Sequence, residues 1–137
     1  RRFLLVKPQT FMNRSGEAVA KVVRFYQTVS TETLVVVDDA DLPLGAIRLR
    51  PGGSPGGHHG LESVEQFLGT REYPRLKLGV ARPEQGVRDI ANHVLGRFSA
   101  AEQPVWSQVL TRAAAQVECW AEAGIGKAMS RYNGSVQ

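Results

Sequence analysis

Only one cysteine, Cys119, occurs in the 137 residues. A lone thiol cannot close an internal disulfide and leaves no cysteine-based zinc pattern, so a disulfide-stapled fold is excluded and a reducing, cytoplasmic setting is expected. Histidine is nearly as scarce: His58 and His59 are neighbours that project differently, and His93 stands apart from them. Such a set does not make a metal centre, so no metal and no cofactor are expected. Long apolar runs are missing too. Stretches such as Phe3-Leu4-Leu5-Val6 and Leu34-Val35-Val36-Val37 fall far short of the roughly 20 residues a membrane-spanning helix needs. A soluble protein with no membrane partner follows. There is no initiator methionine and no charged-then-apolar leader with a cleavage site. The chain opens Arg1-Arg2-Phe3, which reads as an N-terminal truncation of something longer. Internal repeats are absent.

What is present is an ordinary globular composition, 42% hydrophobic and 22% charged with 14 glycines and 7 prolines, enough for one domain over residues 1–137 and too little for two independent cores. Lys and Arg number 17 against 13 Asp and Glu, a formal charge of +4. That excess suits a polyanionic partner, although a solvated basic face gives the same bulk figure.

The apolar pattern alternates between strands and helices. Residues 2–7 read as a short buried strand closed by Pro8. Asn13 or Ser15 is placed to cap a helix in which Val19, Val22, Val23 and Tyr26 recur at the spacing of one face. Leu34 to Val37 is a second strand, ending in Asp38-Asp39-Ala40-Asp41 and a turn at Pro43 and Gly45. Ala46 to Arg50 alternates with period two, so Arg48 and Arg50 share one face while Ile47 and Leu49 share the other. A loop of glycines, prolines and histidines from Pro51 to Gly60 feeds a short helix marked by Leu61, Val64 and Leu68. Leu76 to Val80 is another strand, and Val87 to Leu95 is a loop with a short helical turn. Trp106, Leu110, Ala113, Val117 and Trp120 give the strongest helical period, ended by Gly124, with one more turn from Lys127 to Tyr132. The fold class expected is α/β: a three-layer α/β/α single domain around a twisted mixed sheet, antiparallel where the basic strand lies.

Three segments could carry chemistry. The first is Asp38-Asp39-Ala40-Asp41, where a carboxylate at a strand end could ligate a cation or orient a histidine base; an acidic turn also arises simply because Asp tolerates turn geometry. The second is Gly52-Gly53-Ser54-Pro55-Gly56-Gly57-His58-His59-Gly60-Leu61. It fits neither dinucleotide nor P-loop patterns. Its glycines let backbone approach a ligand, and a helix starting near His58 aims N–H groups at phosphate or developing negative charge. The third is Thr10-Phe11-Met12-Asn13-Arg14-Ser15-Gly16. Asn13 suits either a helix cap or recognition of an amide or nucleotide end, and Phe11-Met12 suits either core or contact.

Taken together, in this order and spacing, these segments closely resemble the bacterial-type peptidyl-tRNA hydrolase family. The resemblance runs through Val6-Lys7-Pro8, Thr10 to Gly16, Asp38 to Gly45, Gly53 to Leu61, Leu78-Gly79-Val80-Ala81-Arg82-Pro83 and Val94-Leu95-Gly96-Arg97-Phe98, essentially the whole chain. It implies a monomeric, metal-independent hydrolase that cleaves the ester joining a peptide to the 3′ end of tRNA, with peptidyl-tRNA as its partner. By position, Asp38 looks like the carboxylate that holds and polarises the catalytic histidine, making it a better base toward water. Phe11, Met12, Asn13 and Gly57 look like substrate contacts. His58 looks like the second histidine that supports the substrate-binding loop, and Arg48 and Arg50 lie where the family meets tRNA phosphates.

Three departures accompany the resemblance. His59 stands where the family has the asparagine that contacts substrate and helps position water, and an imidazole cannot present the paired donor and acceptor of an amide. Pro55 replaces a small residue and stiffens the loop. No residue here matches the family's base histidine, whose segment and first strand precede the region where this chain starts. The 137 residues by themselves are therefore expected to be poorly active or inactive, since a general base contributes about 10²–10⁴ in rate. The competing reading is a non-catalytic RNA-binding or partner-binding relative of the same fold. The missing histidine and His59 favour that reading; retention of Asp38, Asn13 and His58 opposes it.

Overall fold

A computed structural model describes residues 3–80 and 98–136. The expected loop and helical turn over Val87 to Leu95, His93, and the resemblance segments Ala81-Arg82-Pro83 and Val94-Leu95-Gly96-Arg97 lie outside the described residues. In chain order the described elements are a 3₁₀ turn Met12–Arg14, α1 Ser15–Tyr26, a second 3₁₀ turn Ser30–Glu32, β1 Val35–Asp39, β2 Ala46–Arg50, α2 His59–Leu68, β3 Arg75–Gly79, α3 Gln103–Ala123, α4 Ile125–Tyr132 and β4 Gly134–Ser135. Chain contacts gather into two compact units, one from residues 1–35 and 50–75, the other from 36–49 and 76–137.

In the first unit α1 packs on α2. A small residue, Gly16, lets the two helices come close. Gly16 and Ala20 of α1 and Gly60, Leu61, Ser63 and Val64 of α2 are buried. The Gly16 N–H, one of the donors that a helix start leaves without an intrahelical partner, donates to Ser63 Oγ at 2.8 Å. Capping by Asn13 or Ser15, expected from sequence, does not occur. The residue preceding α1 is Arg14 without a side-chain cap bond, and Ser15 Oγ donates back to Met12 O at 2.8 Å. A neighbouring helix does that work instead. Beneath α2, the buried Tyr73 hydroxyl donates to Leu61 O at 3.3 Å. The buried Arg75 guanidinium lies 4.0 Å from the Tyr73 ring centroid and donates to Arg71 O at 2.7 Å. Backbone carbonyls and a ring face thus replace its hydration.

The second unit carries the sheet, ordered β1-β3-β2-β4. Bonds from Val35 N–H to Pro74 O and from Val80 N–H to Asp39 O run in the same direction along both chains, so β1 and β3 are parallel. β2 and β4 are antiparallel, with Ala46 opposite Ser135 and Ile47 opposite Gly134. The sheet is therefore mixed, as expected. β3 lies inside it and is buried at four of its five positions, whereas β2 alternates as its period-two pattern requires, Ile47 and Leu49 buried and Arg48 and Arg50 exposed. Asn133 extends the ladder with a side chain: its Oδ1 accepts the Leu49 N–H at 2.7 Å and its Nδ2 donates to Leu49 O at 3.1 Å. Gln116, fully buried in α3, holds that amide by donating to Asn133 Oδ1 and to Ala128 O, both at 2.9 Å.

Two sequence expectations need correction. Residues 2–7 do not form a buried strand over their described part: Phe3 to Val6 are exposed, Leu5 at 81%, and no described strand pairs with them. The strand expected at Leu34 to Val37 forms as β1, which stands at the sheet edge with Val36 50% exposed. The long helix forms, but its buried stripe is Val109, Ala113, Gln116 and Cys119, with Leu110 turned outward. An apolar period locates a helix; it cannot weigh a buried glutamine that bonds two backbone-linked partners.

A Cβ at Gly16 would lie 2.0 Å from the Ser63 carbonyl oxygen. Alanine there gains about 1 kcal/mol of helix propensity, but forcing the helices apart costs about 1–3 kcal/mol or more. Gly16→Ala is expected to destabilise the protein by about 2 kcal/mol in urea unfolding; equal stability would show that the helices are not held at this separation. Burial raises the Tyr73 hydroxyl above its ordinary value of 10.0, opposed by Arg75 and assisted by Glu65. With the folded value above the unfolded one, the stability it contributes is complete below the ordinary value and is lost as pH rises through the folded one. The thermal midpoint is expected to fall more steeply above about pH 10 in the parent than in Tyr73→Phe; parallel curves would refute this.

Candidate functional site

The residues singled out from sequence fall into two groups, one in each unit, with Arg50 at the point where β2 passes into the first unit. In the first unit, Pro55 to His58 close a tight turn in which the His58 N–H donates to Pro55 O at 3.0 Å. Its central residues Gly56 and Gly57 have φ of +58° and +81°, a turn that residues other than glycine and asparagine adopt only with strain. The turn delivers His58 to the N-cap of α2, where Nδ1 accepts the Leu61 N–H at 3.2 Å. One of the helix-start donors that the sequence reading aimed at a ligand is thus used internally. His59 follows as the first helical residue, with its Nδ1 4.0 Å from Glu62 Oε1, both side chains largely in solvent.

The Met12–Arg14 turn lies against α2. A Cβ on Gly60 would be 2.7 Å from Met12 Sδ and 2.8 Å from His58 Cε1, so Gly60 is the point where the turn, the histidine and the helix meet. Phe11 is 81% exposed and Met12 53%, which corrects the core alternative for this pair. Asn13 is exposed, and among the described residues its amide has no hydrogen-bond partner. The cap alternative for Asn13 is thereby removed, and what remains is an amide presented to solvent beside an exposed ring. Arg14 Nε sits 2.6 Å from Glu17 Oε2. The hydrogen bond between them raises the Arg14 guanidinium above its ordinary value and lowers the Glu17 carboxyl from its own, the charge of each partner adding to the effect.

In the second unit β1 ends in the acidic cluster. Adjacent strand residues point to opposite faces, so Asp38 and Asp39 separate there. Asp39 serves the turn: its Oδ1 accepts the Asp41 N–H at 2.8 Å and its Oδ2 lies 3.9 Å from Lys77 Nζ. Asp38 is half-buried on the other face. The turn that follows is seated on β3, for a Cβ at Gly79 would meet Pro43 O at 2.0 Å. Of the carboxylates that sequence left undivided, the structure commits Asp39 to architecture. On β2 the Arg48 and Arg50 side chains share an exposed face, as the alternation predicts. Among the described residues no group of three or more His, Cys, Asp or Glu could hold a metal ion.

Sequence reasoning missed Ser63 and Asn133, which place these side chains without being part of the site. Ser63 could have been found as a small polar residue among the apolar positions of α2, whereas Asn133 follows the last helix among polar residues with nothing local to single it out.

The profile of the family described as Peptidyl-tRNA hydrolase matches residues 1–137. The peptidyl-tRNA hydrolase of Synechococcus sp. (strain JA-3-3Ab) is 53% identical over 129 residues, 94% of this chain and 57% of that protein. The peptidyl-tRNA hydrolase of Syntrophomonas wolfei is 44% identical over 132 residues, 96% of this chain and 70% of that protein. Among solved structures, peptidyl-tRNA hydrolase from Acinetobacter baumannii superposes with a TM-score of 0.83 at 32% identity, covering 93% of this chain and 64% of that one. The chain therefore spans little more than half the length of the Synechococcus relative and under two thirds of the solved one. A profile matched from the first residue to the last, with relatives this similar across nearly all of it, makes the chain a member of the peptidyl-tRNA hydrolase family.

Proposed function

We propose that the protein carrying this chain hydrolyses the ester between peptide and tRNA in peptidyl-tRNA, as a cytoplasmic monomer with no metal or cofactor, and that residues 1–137 form part of a single hydrolase domain. The observation that carries this reading is the family match along the whole chain, which takes in both motif groups. The geometry supports it at Asp38, whose neighbour Asp39 is occupied by the turn and Lys77.

In this mechanism a histidine outside these 137 residues takes a proton from water, and the hydroxide attacks the ester carbonyl. The tetrahedral intermediate then collapses and expels the ribose oxygen of the tRNA, which takes that proton from the imidazolium. Asp38 orients the imidazole and stabilises its charged form. Phe11 offers a ring to the terminal base or the peptide, Met12 and Gly57 contact the substrate, and the exposed Asn13 amide binds a polar group of it. His58 holds the loop. His59 gives one hydrogen bond where an amide would give two, which changes how substrate and water are placed. Arg48 and Arg50 meet tRNA phosphates and set register without reading sequence.

Asp38→Asn is expected to lower kcat by about 10²–10⁴ while leaving tRNA affinity nearly unchanged, read as release of a labelled N-blocked aminoacyl group from tRNA. An unchanged rate would remove Asp38 from catalysis and favour a binding protein. The 137 residues alone are expected to release the label slowly beside the longer protein. Changing Arg48 and Arg50 together to Gln should weaken tRNA binding and reduce the slope of log affinity against log salt by about 2. An unaltered slope would place the phosphate contacts elsewhere.

A further inference from the structure

Between α3 and β4, within the second unit, lies an open cleft of about 520 Å³ that the function proposed above does not use. Ser107, Gln108, Thr111, Arg112 and Ala115 of α3 form one side and Ser135 of β4 the other. These α3 positions share one flank of the helix, beside the buried stripe of Val109, Ala113, Gln116 and Cys119. Ala115 stands in the middle of that flank, and its single methyl keeps the floor low. Among the described residues no carboxylate lines the cleft.

Arg112 is its charged group, half-buried and held in one direction. Its Nε donates to Tyr132 O at 2.8 Å, and its Cζ lies 5.8 Å from the Tyr132 ring centroid. Among the described residues the guanidinium makes no other hydrogen bond and no ion pair. The end-on fork of its two terminal nitrogens, which fits two oxygens of a phosphate, is therefore unspent. Taking a cation partly out of water costs free energy unless an anion or acceptor meets it. Two neutral donors stand on the same flank. The Ser107 hydroxyl and the Gln108 amide are exposed and without a hydrogen-bond partner among the described residues, whereas Thr111 Oγ1 already donates to Ser107 O at 3.1 Å.

We infer that this cleft binds a phosphate group, with Arg112 taking two of its oxygens end-on and Ser107 and Gln108 donating to the others. A carboxylate would be satisfied by the fork alone. A tetrahedral phosphate has further oxygens for the donors along α3. The bond to Tyr132 O orders the long arginine side chain in advance, so less freedom is lost when the anion arrives. The phosphate is either a link of an RNA backbone or a free ion, and the chemistry at the cleft is the same for both.

The test titrates inorganic phosphate into the ¹⁵N-labelled protein carrying this chain, at constant ionic strength with chloride as the balancing anion. Saturable shifts should gather at Ser107, Gln108, Thr111 and the Arg112 Nε–H. Arg112→Gln should lose them, but it also breaks the bond to Tyr132, so two variants at exposed Thr111 carry the decision. Thr111→Glu sets a carboxylate in the cleft and leaves Arg112 in place; it should weaken phosphate binding about tenfold, the equivalent of one charge-assisted hydrogen bond. Thr111→Gln, neutral and of similar size, should bind as the parent does. Transfer RNA separates the two sources. If a backbone phosphate sits here, the slope of log tRNA affinity against log salt should be lower by about 1 in Thr111→Glu than in Thr111→Gln. If the site takes a free phosphate, the slopes agree while the phosphate affinities differ. Equal slopes together with equal phosphate affinities, or with no saturable shift at the cleft, would overturn the inference. If the protein releases no peptide from tRNA, the proposed function falls, and the phosphate titration still decides the cleft.

Discussion

The first unit depends on one close approach. The Gly16 N–H reaches Ser63 Oγ at 2.8 Å, a distance possible because Gly16 puts no side chain between the helices. That bond satisfies a buried donor at the start of α1, whose loss would cost about 1–3 kcal/mol. It also presses the Met12–Arg14 turn onto the start of α2. Asn13 is left out of helix capping because the helix is capped from across the contact. An amide released from structural duty in this way can be used on a ligand.

The second unit has a matching device. Asn133 offers its amide to both sides of the Leu49 peptide, so the side chain serves as a rung of the sheet, and buried Gln116 keeps it from turning. Leu49 lies between Arg48 and Arg50, and pinning it sets the face on which both arginines stand. At the other end of the sheet the division of labour is between adjacent carboxylates. Asp39 closes the turn and meets Lys77, and the alternation of the strand sends Asp38 the other way.

Much of the fold was legible in advance. The basic strand was readable because alternation over five residues is a direct image of one buried and one exposed face. The α2 region was readable because glycine-rich turns announce themselves. The β1 run was legible as a strand and illegible as an edge, since Val35, Val36 and Val37 look alike whether or not another strand covers them. Trp106 and Leu110 misled for a related reason: large apolar residues dominate a periodicity, while the helix turned toward its neighbours the face on which Gln116 finds two acceptors. For the site, the motif residues were readable by type and order. The commitment of Asp39 to the turn, the cap made by His58 and the exposure of Phe11 were not, because each depends on an atom brought close by folding.

By itself the sequence determined the family, the alternation of strands and helices, and the residue types available for acid–base chemistry and phosphate contact, because these follow from local pattern and order along the chain. Tertiary structure decided which of several equivalent groups is taken up by architecture, as Asp39 is by its turn and Lys77. Hydrogen-bond partners such as Ser63 for Gly16 and Asn133 for Leu49 are 47 and 84 residues away in sequence, and no local pattern carries information about a partner that distant.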